Sequence, residues 1–468
     1  MEYLVDLAEK ILNEALNRGA QDAIVRVQEK VYESIVFDNG ILRVCSISRV
    51  SGLGLTVFVG GSVGYSYASI VDRDSIPKIV DEAITVAKAL EYGSEKRLVC
   101  EEVKGARGSY RTEFKVNPFD VDLETKVKLV SNLNNESMKK EGIVSAFTRY
   151  GCEIDRKYIV SSFYSKVQVE VVAIGLSHLA VARYGDIVER VGDQKTFIGG
   201  YEFIEKFDWS SFVNEINDLA YKASQASTIT PGVYQAVVDN ELVGLLLHEA
   251  FGHASEGDAV YSDLSVLKGR LGQVVASEKV TIVDDGMVSG GYPVPFDDDG
   301  IEKKVTYIVK NGVLVGYINS IVTAKKLGQI PTGNARAQDI TFNTIVRQTN
   351  FYMLPGDAKV EELFEGIDYG VYLKGRGAGG GQVNPALGTF TFGVGPSYII
   401  RKGEIGELVR SVIVSGNILE VLKNVDMVAN DLNVSTSVFG GCGKMGQMVR
   451  VGDGGPHIRV KKLVVGTR

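Results

Sequence analysis

Apolar residues recur at helical spacing at the start of the chain and alternate with polar residues soon afterwards. The first apolar stripe predicts a helix that ends at Arg18-Gly19. Extended segments follow, with turn sequences at Asp38-Asn39-Gly40 and Gly60-Gly61 that are typical of hairpins. A second amphipathic helix is predicted over Asp74–Leu90. This pattern favours antiparallel strands that pack against helices.

The same order of elements is predicted a second time further along the chain. A helix over Leu123–Lys140 precedes several extended segments, and a helix over Ser210–Ala226 ends the unit. The extended segments are Val144–Tyr150, Tyr158–Tyr164, Gln168–Ile174 and Leu179–Ala182. The repetition favours a duplicated helix–antiparallel-strand unit, although the two copies share few identical residues.

The composition changes around Pro231-Gly232, which indicates a domain boundary. We therefore predict an N-terminal α+β domain over residues 1–228 and a C-terminal domain over residues 229–468. Asp239 or Asn240 can cap a helix at the start of the second domain, and strand patterns dominate after Asp258. The predicted fold class is α+β, with an N-terminal α/β region and a mainly antiparallel, β-rich C-terminal domain that carries one buried helix.

Charge and hydropathy exclude several classes of protein. The chain has 468 residues and a net charge of −7 at pH 7, and it contains no Lys/Arg-rich block, which argues against nucleic-acid binding. No apolar stretch approaches the length of a membrane span. The amphipathic N-terminus mixes acidic and basic residues, so it has the pattern of neither a signal nor a transit peptide. We therefore expect a cytoplasmic protein with no membrane partner.

The four cysteines are scattered along the chain without a CxxC pair, which argues against a disulfide framework. Cys45 and Cys100 have apolar neighbours in the sequence and are predicted to be buried thiols. Cys442 differs, because it lies in the glycine-dense stretch Val438–Met448. Backbone can approach closely there, and a thiolate can be presented to a ligand.

The stretch His248-Glu249-Ala-Phe-Gly252-His253 follows an apolar run in a chain with only four histidines. Imidazole is a common zinc ligand, and a neighbouring glutamate can accept a proton from metal-bound water. The histidines are five positions apart, which on a regular helix places them roughly 140° apart. Either the pair is a coincidence of hydrogen-bonded core histidines, or the helix widens into a π-bulge or unwinds near Gly252.

A glycine-rich stretch, Gly375–Val383, contains a formal GxGxxG. A strand rather than a helix follows it, which argues against a dinucleotide site. The backbone at Gly379, Gly380 and Gly381, together with Asn384, could hold an extended peptide substrate. A flexible hairpin connection is an equally good interpretation.

Two polar loops offer weaker candidates. Asn334 and Arg336 could stabilise developing negative charge or bind a substrate carboxylate, although an ordinary surface loop is the default interpretation. Asp297-Asp298-Asp299 could bind a divalent cation, but the remainder of a calcium-binding loop is missing. We therefore predict a solvated acidic turn at these aspartates.

Six motifs carry a resemblance to a known family, and they run from His248 to Gln447. They are HEAFGHASEGD (248–258), GNAR (333–336), QTNFYMLPGD (348–357), GGGQVNP (379–385), VANDL (428–432) and GCGKMGQ (441–447). In this order they resemble the TldD/PmbA family of metalloproteases over essentially the whole chain. The intact histidine pair and the C-terminal cysteine resemble the TldD branch rather than the TldE/PmbA branch. One departure, Ala337 where a second basic residue is expected, weakens the substrate-binding hypothesis for Arg336.

The resemblance implies one Zn²⁺ per chain, held by His248, His253 and Cys442, with Glu249 as the general base. It also implies a homodimer, or a heterodimer with a TldE/PmbA-like paralogue, that encloses the active site and cleaves unfolded peptides. The residue chemistry agrees, because three protein ligands leave one zinc position open for a water whose pKa falls from about 15.7 toward 7. His457 follows Cys442 closely enough in the sequence to be considered as a fourth ligand.

The sequence therefore predicts a zinc-dependent metallopeptidase that hydrolyses unfolded or short peptides. The alternative is a non-catalytic subunit of a TldD/TldE-like complex, in which zinc is structural and the chain binds peptides or partner proteins. Because both Glu249 and Cys442 are present, we favour the enzyme.

Overall fold

The computed structural model describes residues 2–72, 74–90, 98–99 and 103–467. Most strand pairs are antiparallel, and the helices pack against the sheets, so the fold class is α+β as predicted. In the described part of the chain, no helix is both long enough and apolar enough to cross a membrane.

The described residues of the first half form one seven-stranded sheet and five α-helices. Its elements are α1 (Glu2–Asn17), β1 (Asp22–Asp38), β2 (Ile41–Val59), β3 (Ser62–Ala68), α2 (Ile76–Ala89), β4 (Arg107–Arg111), a 3₁₀ turn (Pro118–Asp120), α3 (Leu123–Ser137), β5 (Ile143–Ser161), β6 (Lys166–Tyr184), β7 (Ile187–Ile198), α4 (Glu202–Lys206) and α5 (Trp209–Gln225). The strand order is β3-β2-β1-β5-β6, and both β4 and β7 pair with β6.

The order of one helix, three antiparallel strands and one helix occurs twice in this half, as the sequence pattern predicts. α1 and α2 flank β1–β3, and α3 and α5 flank β5–β7. Each unit buries its own apolar cluster, around Leu7 and Leu55 in the first unit and around Leu133, Leu176 and Ile216 in the second. The two units share one sheet because β1 and β5 pair side by side.

The strands of this sheet are longer than the sequence pattern predicts. Each of β5 and β6 is one continuous strand where two shorter segments are predicted, and β1 is a continuous strand of 17 residues. Within β1, Glu29 and Glu33 are buried, and the Glu33 carboxylate lies 2.7 Å from Lys126 Nζ. Buried charged residues interrupt the alternation of apolar and polar positions from which a strand is predicted. They resemble loop residues in the sequence, because the ion-pair partners that permit their burial lie on other elements.

The prediction that Cys45 is a buried thiol is wrong, because this side chain is exposed. β3 pairs only with Leu53–Val59 of β2. The part of β2 that carries Cys45 extends beyond β3 and is therefore not paired with it. Cys100, the other predicted buried thiol, lies outside the described residues.

From residue 227 to residue 467, the second half forms two large sheets, two short strand pairs and four α-helices. Its elements are β8 (Ser227–Thr228), β9 (Gly232–Val238), α6 (Asn240–Leu246), a π-helical turn (Leu247–Gly252), a 3₁₀ turn (His253–Ser255), α7 (Gly257–Tyr261), β10 (Ile282–Asp285), β11 (Thr306–Lys310), β12 (Val313–Leu314), α8 (Ile321–Leu327), β13 (Ala335–Arg336), β14 (Ile345–Val346), β15 (Asn350–Met353), a 3₁₀ turn (Glu361–Leu363), β16 (Tyr369–Leu373), β17 (Gly380–Asn384), β18 (Thr389–Gly393), β19 (Ser397–Arg401), β20 (Glu404–Arg410), β21 (Val412–Asn417), α9 (Ile418–Lys423), β22 (Val425–Val428), β23 (Asn433–Thr436), β24 (Cys442–Lys444), β25 (Gln447–Val449), β26 (Gly452–Gly455) and β27 (Ile458–Thr467).

The ten-stranded sheet has the order β17-β18-β21-β27-β9-β16-β19-β20-β8, with β22 also paired to β27. The six-stranded sheet has the order β12-β11-β10-β15-β26-β23. α6 lies in the apolar core that both sheets share. Asp239 caps its N-terminus, because its side chain accepts a hydrogen bond from the backbone N–H of Leu242 at 3.0 Å. Hairpin turns at Asn311-Gly312 and Lys402-Gly403 connect β11 to β12 and β19 to β20.

Buried ion pairs connect the two halves, and they overturn one prediction. Asp297, Asp298 and Asp299 are all buried rather than solvated. The Asp298 carboxylate lies 2.7 Å from Lys157 Nζ of β5 and accepts a hydrogen bond from the backbone N–H of Ala337 at 2.8 Å. The acidic turn is buried because the N-terminal sheet covers it and supplies cations. The domain boundary between residues 228 and 229 stays a prediction.

Candidate metal centre

The helix that carries the two histidines changes its winding between them. α6 ends at Leu246, a π-helical turn covers Leu247–Gly252, and a 3₁₀ turn begins at His253. A π-helical turn places residues five apart on the same side of a helix. The predicted widening near Gly252 is therefore confirmed, and the spacing of the two histidines becomes compatible with one metal ion.

A close neighbour, Gln348, occupies the space beside Gly252. A Cβ atom at this position would lie 2.2 Å from Gln348 Oε1. The same glutamine side chain donates a hydrogen bond from Nε2 to the backbone carbonyl of His248 at 3.1 Å. Gln348 thus satisfies a carbonyl in the irregular segment, and the missing side chain at Gly252 leaves room for it.

The structure brings His248, His253 and Cys442 together. The imidazole centroids are 5.3 Å apart with planes at 81°, and Cys442 Sγ lies 3.3 Å from His253 Nε2. One potential ligand atom from each residue can be chosen so that all three lie within 4.8 Å of one another. Ligand atoms of a tetrahedral zinc site are separated by roughly 3.3–3.7 Å, so only small movements would complete the site.

Cys442 reaches this position on a short hairpin formed by β24 and β25. The fully buried guanidinium of Arg347 donates hydrogen bonds to the backbone carbonyls of Cys442 and Gln447, one on each strand of the hairpin. A buried cation that is bonded to both strands fixes the hairpin against the core. The sequence motif identified the cysteine, and Arg347 is a structural residue that the motif did not reveal.

The electrostatics of the cluster favour a thiolate beside charged imidazoles. Although burial favours the neutral thiol, the positive charge of His248 and hydrogen bonds from both histidines lower the pKa of Cys442 to about 5. Burial opposes protonation of His253, but Glu256 and Cys442 outweigh it and raise the pKa of His253. In the metal-free cluster, the protonated imidazoles compensate the negative charge of the thiolate. A metal cation would take over this compensation, so its binding would release protons from the imidazoles.

The donor set fits zinc. Two imidazole nitrogens and one thiolate sulfur are ligands that zinc prefers, and three protein ligands leave a fourth position open, as in catalytic sites. His248 Nδ1 is buried, and no hydrogen bond to it is found among the described residues. An orphaned ring nitrogen in a buried cluster is consistent with a site that a cation completes.

Glu249, the predicted general base, follows His248 in the π-helical turn and is half-buried. No residue in the described ranges donates a hydrogen bond to its carboxylate, which leaves the carboxylate available to a water molecule. Asp453 on β26 is a neighbour that the sequence did not reveal. Burial raises the pKa of the Asp453 carboxyl, and the positive charge of His248 opposes this effect.

Glu256 and Lys444 were also missed as functional candidates, although both lie inside quoted motifs. The Glu256 carboxylate lies 3.0 Å from His253 Nδ1 and 2.9 Å from Lys444 Nζ. Nothing in the sequence indicates this contact, because Lys444 belongs to the distant cysteine hairpin.

His457 lies outside the cluster. Its Nδ1 is 2.7 Å from Asp431 Oδ2, and its Nε2 is 2.9 Å from the Tyr372 hydroxyl. Both ring nitrogens are engaged by these neighbours, so the structure gives no support to a fourth ligand at this position.

A cleft of about 440 Å³ lies beside the histidine helix. Leu245 of α6 and Asp453 line it on the side of the helix, and the unpaired edges of two sheets contribute Gly380 on β17 and the strand β23. Residues Asp193–Phe197 of β7 line the opposite wall, so both halves of the chain form the cleft. Long unpaired strand edges in a cleft can pair with an extended peptide.

The predicted substrate-binding residues separate into two groups. Gly379, Gly380 and Gly381 lie at the start of the edge strand β17, and Asn384 ends that strand, where its side chain accepts hydrogen bonds from the following turn. Arg336 is buried, and its Nη1 donates to the backbone carbonyls of Gln348 and Arg450, at 3.1 and 2.6 Å. The expectation of a surface loop at Arg336 is wrong, because the side chain points into the junction between the halves.

The chain is similar to known proteins over its full length. The sequence model of the PmbA/TldA metallopeptidase C-terminal domain matches residues 231–467, and that of the PmbA/TldA metallopeptidase domain 1 matches residues 23–87. A metalloprotease of Methanothermobacter thermautotrophicus is 35% identical over 100% of both chains. A zinc metalloprotease TldD homologue of Saccharolobus solfataricus is 36% identical over 65% of this chain and 68% of that protein.

Solved structures share the fold over nearly the whole length. A putative modulator of DNA gyrase from Bacteroides thetaiotaomicron superposes with a TM-score of 0.79 at 20% identity, covering 99% of this chain and 98% of the other. TldE from Thermococcus kodakarensis superposes with a TM-score of 0.73 at 18% identity, covering 100% and 99%. The full-length identity and the matched domains show that the chain belongs to the PmbA/TldD family of metallopeptidases.

Proposed function

We propose that this protein is a zinc-dependent peptidase of the TldD type, which hydrolyses unfolded or short peptides. The observation that carries the proposal is the convergence of His248, His253 and Cys442 within 4.8 Å, next to the helix whose residues Glu241 and Leu245 line a cleft. The residue next to the first histidine, Glu249, is a carboxylate with no competing hydrogen bond among the described residues. These four residues include the metal ligands and the general base that metal-assisted hydrolysis requires.

In the proposed mechanism, His248, His253 and Cys442 would hold one zinc ion per chain. Zinc bound there would supply a Lewis acid that polarises the peptide carbonyl and makes water more acidic. Glu249 accepts a proton from the attacking water and donates it to the amine that leaves when the C–N bond breaks. The buried position of the cluster limits access of bulk water, which strengthens these electrostatic interactions.

The proposed substrate lies along the edge strand β17. Gly380 lines the cleft at this edge, and neither Gly379 nor Gly381 beside it carries a side chain that would obstruct a peptide. A peptide can pair with such an edge only when it is extended, so folded proteins would be excluded. Main-chain hydrogen bonds do not depend on side-chain identity, so we expect low sequence selectivity.

We further propose a cytoplasmic location and a dimer, formed either by two copies of this chain or with a TldE/PmbA-like paralogue. The structural similarity to TldE from Thermococcus kodakarensis supports a relationship between the two kinds of chain. The size of the purified chain in solution tests this point. A monomer with full activity would count against enclosure of the site by a partner.

Metal removal and the loss of one ligand test the proposed function. The chain treated with a chelator should lose cleavage of an unstructured peptide, and one equivalent of Zn²⁺ should restore cleavage. Cys442→Ala should bind zinc more weakly and cleave more slowly. The alternative, a structural-zinc subunit, predicts that the wild type binds zinc but cleaves no peptide, either alone or with a paralogue added.

A further inference from the structure

The Glu256 carboxylate is the only carboxylate found in contact with an imidazole of the metal cluster in the described part of the chain. Its side chain is 1% exposed, and its Oε2 lies 3.0 Å from His253 Nδ1. The opposite ring nitrogen, His253 Nε2, lies 3.3 Å from Cys442 Sγ. Glu256 therefore contacts the side of the ring that faces away from the cluster.

The position of this carboxylate selects one form of the imidazole. A carboxylate that accepts a hydrogen bond from Nδ1–H keeps the proton on that nitrogen and leaves the lone pair on Nε2. The same contact fixes the rotation of the ring and makes Nε2 a better electron-pair donor. His253 is thus presented with its free nitrogen toward Cys442.

The backbone around Glu256 is anchored, so its carboxylate has a defined position. The backbone carbonyl of Ser255 accepts a hydrogen bond from the N–H of Ile318 at 3.0 Å, and the N–H of Gly257 donates to the Ile318 carbonyl at 2.8 Å. These bonds form an isolated parallel bridge between Glu256 and the buried residue Ile318. The anchored backbone and the buried side chain leave Glu256 little freedom to move away from His253.

Glu256 also connects the histidine segment to the cysteine hairpin. Lys444, two positions after Cys442, places its Nζ 2.9 Å from Glu256 Oε2 and 2.7 Å from Asp258 Oδ2. The same ammonium group donates a hydrogen bond to the backbone carbonyl of Val346 at 3.1 Å. One buried carboxylate therefore contacts both a predicted ligand and the hairpin that carries another.

We propose that Glu256 is a positioning residue for the metal site. It holds His253 in the tautomer that binds through Nε2, and its ion pair with Lys444 keeps Cys442 at the distance that one metal ion requires. The proposal rests on the proposed function, because it assumes that this cluster binds zinc. Glu256 does not touch the reacting atoms, so its role is distinct from that of Glu249.

Zinc affinity of matched variants tests the proposal independently of catalysis. Glu256→Gln removes the charge beside His253, and it should weaken zinc binding about 10- to 100-fold in competition with a chelator. Asp258→Asn is the control, because Asp258 shares Lys444 but has no contact with His253 among the described residues. The control should change the zinc dissociation constant by no more than about 5-fold, as expected for loss of a partly exposed ion pair.

The cobalt-substituted proteins give a second readout. The Co²⁺ absorption bands of Glu256→Gln should shift relative to the wild type, since the ligand geometry changes, whereas those of Asp258→Asn should not. Equal zinc affinity and equal Co²⁺ spectra in the wild type and Glu256→Gln would overturn the proposal. An equal loss of affinity in Asp258→Asn would also overturn it, because the effect would then belong to the lysine bridge alone.

A measurement on the wild type covers the case in which Glu256→Gln does not fold. The chain has four histidines, so its ¹⁵N-histidine side-chain spectrum is simple. In the zinc-loaded protein, His253 should carry its proton on Nδ1 and bind through Nε2, and binding through Nδ1 would overturn the proposal. Absence of stoichiometric zinc in the wild type would instead contradict the proposed function itself.

Discussion

At the residue scale, the protonation of Cys442 depends on its neighbours more than on the thiol itself. The positive charge of His248 and the hydrogen bonds from both histidines overcome the effect of burial and lower the pKa of Cys442 to about 5. A free cysteine has a pKa of about 8.5. The metal-free protein should therefore present a thiolate at neutral pH, which is the form that binds zinc.

Alkylation of the metal-free protein checks this pKa. The rate of modification of Cys442 by iodoacetamide should rise with pH to a plateau with a midpoint of about 5, and zinc should suppress the reaction. Mass spectrometry of the peptide that contains Cys442 separates its reaction from that of the exposed Cys45. Burial of Cys442 limits access of iodoacetamide and slows the reaction equally at every pH, so the pH midpoint of the rate is unchanged. A midpoint near 8.5 would show that the histidines do not stabilise the thiolate.

At the element scale, the π-helical turn over Leu247–Gly252 determines whether the two histidines can share a metal. The turn depends on the missing side chain at Gly252, because Gln348 occupies the adjacent space. Gln348 in turn donates to the carbonyl of His248. One glycine therefore links the winding of the helix to the position of the first ligand.

Gly252→Ala should weaken zinc binding and lower the free energy of unfolding by about 1–3 kcal/mol, since the added methyl group overpacks the site. Gly443→Ala is the matched control, because a Cβ atom at Gly443 would meet nothing within 4 Å and the residue lies next to Cys442. Zinc titration and thermal unfolding of both variants measure the effects. Wild-type behaviour of Gly252→Ala would mean that the π-helical turn tolerates a side chain there.

The sequence was sufficient to locate the histidine helix and to predict that its winding must be irregular. A spacing of five between His248 and His253 cannot serve one metal on a regular helix, and this constraint predicts the π-helical turn. Glu256, Lys444 and Arg347 could not be assigned roles in the same way. Their contacts join segments that are far apart in the sequence. No local sequence pattern predicts which distant side chain will lie next to them in the folded chain.

At the scale of the whole molecule, buried ion pairs join the two halves behind the metal centre. Glu153 of β5 is buried, and its carboxylate lies 2.8 Å from Arg450 Nη2 and 3.4 Å from Lys30 Nζ. Arg450 also donates to the backbone carbonyl of Gly440, two positions before Cys442. The N-terminal sheet thus supports the loop that leads to the cysteine.

Other buried polar contacts explain the predictions that were wrong at this scale. Asp297–Asp299 and Arg336 resembled surface residues because charged side chains are seldom buried without a partner. Lys157 of the N-terminal sheet compensates the aspartate turn, and carbonyls of the C-terminal half bind Arg336. The repeated helix–strand–helix order, in contrast, was predictable, because apolar periodicity within each unit determines it.

Glu153→Gln should lower the free energy of unfolding by about 3 kcal/mol at pH 7, because it leaves buried cations without a carboxylate. Glu420→Gln is the control, since Glu420 forms an exposed ion pair with Lys423 and should change stability by less than about 1 kcal/mol. Urea unfolding of the three proteins measures the difference. Equal stability of the two variants would mean that the buried pair does not hold the halves together.

The difference in stability between the wild type and Glu153→Gln should decrease as the pH falls. Although burial opposes ionisation, Lys30 and Arg450 lower the pKa of Glu153 to about 2 in the folded chain, against about 4.3 when unfolded. Its contribution is therefore complete above about pH 5 and is lost as the pH falls toward 2. The stability difference between the wild type and Glu153→Gln should shrink over that range.

The most direct test of the central claim compares peptide cleavage by the wild type and by Glu249→Gln, with zinc content determined on both. Removal of a general base should slow cleavage about 10²- to 10⁴-fold, while the three ligands and therefore the bound zinc remain unchanged. Equal zinc with cleavage only by the wild type is the predicted result. Undiminished cleavage by Glu249→Gln would contradict the assignment of this cluster as the active site.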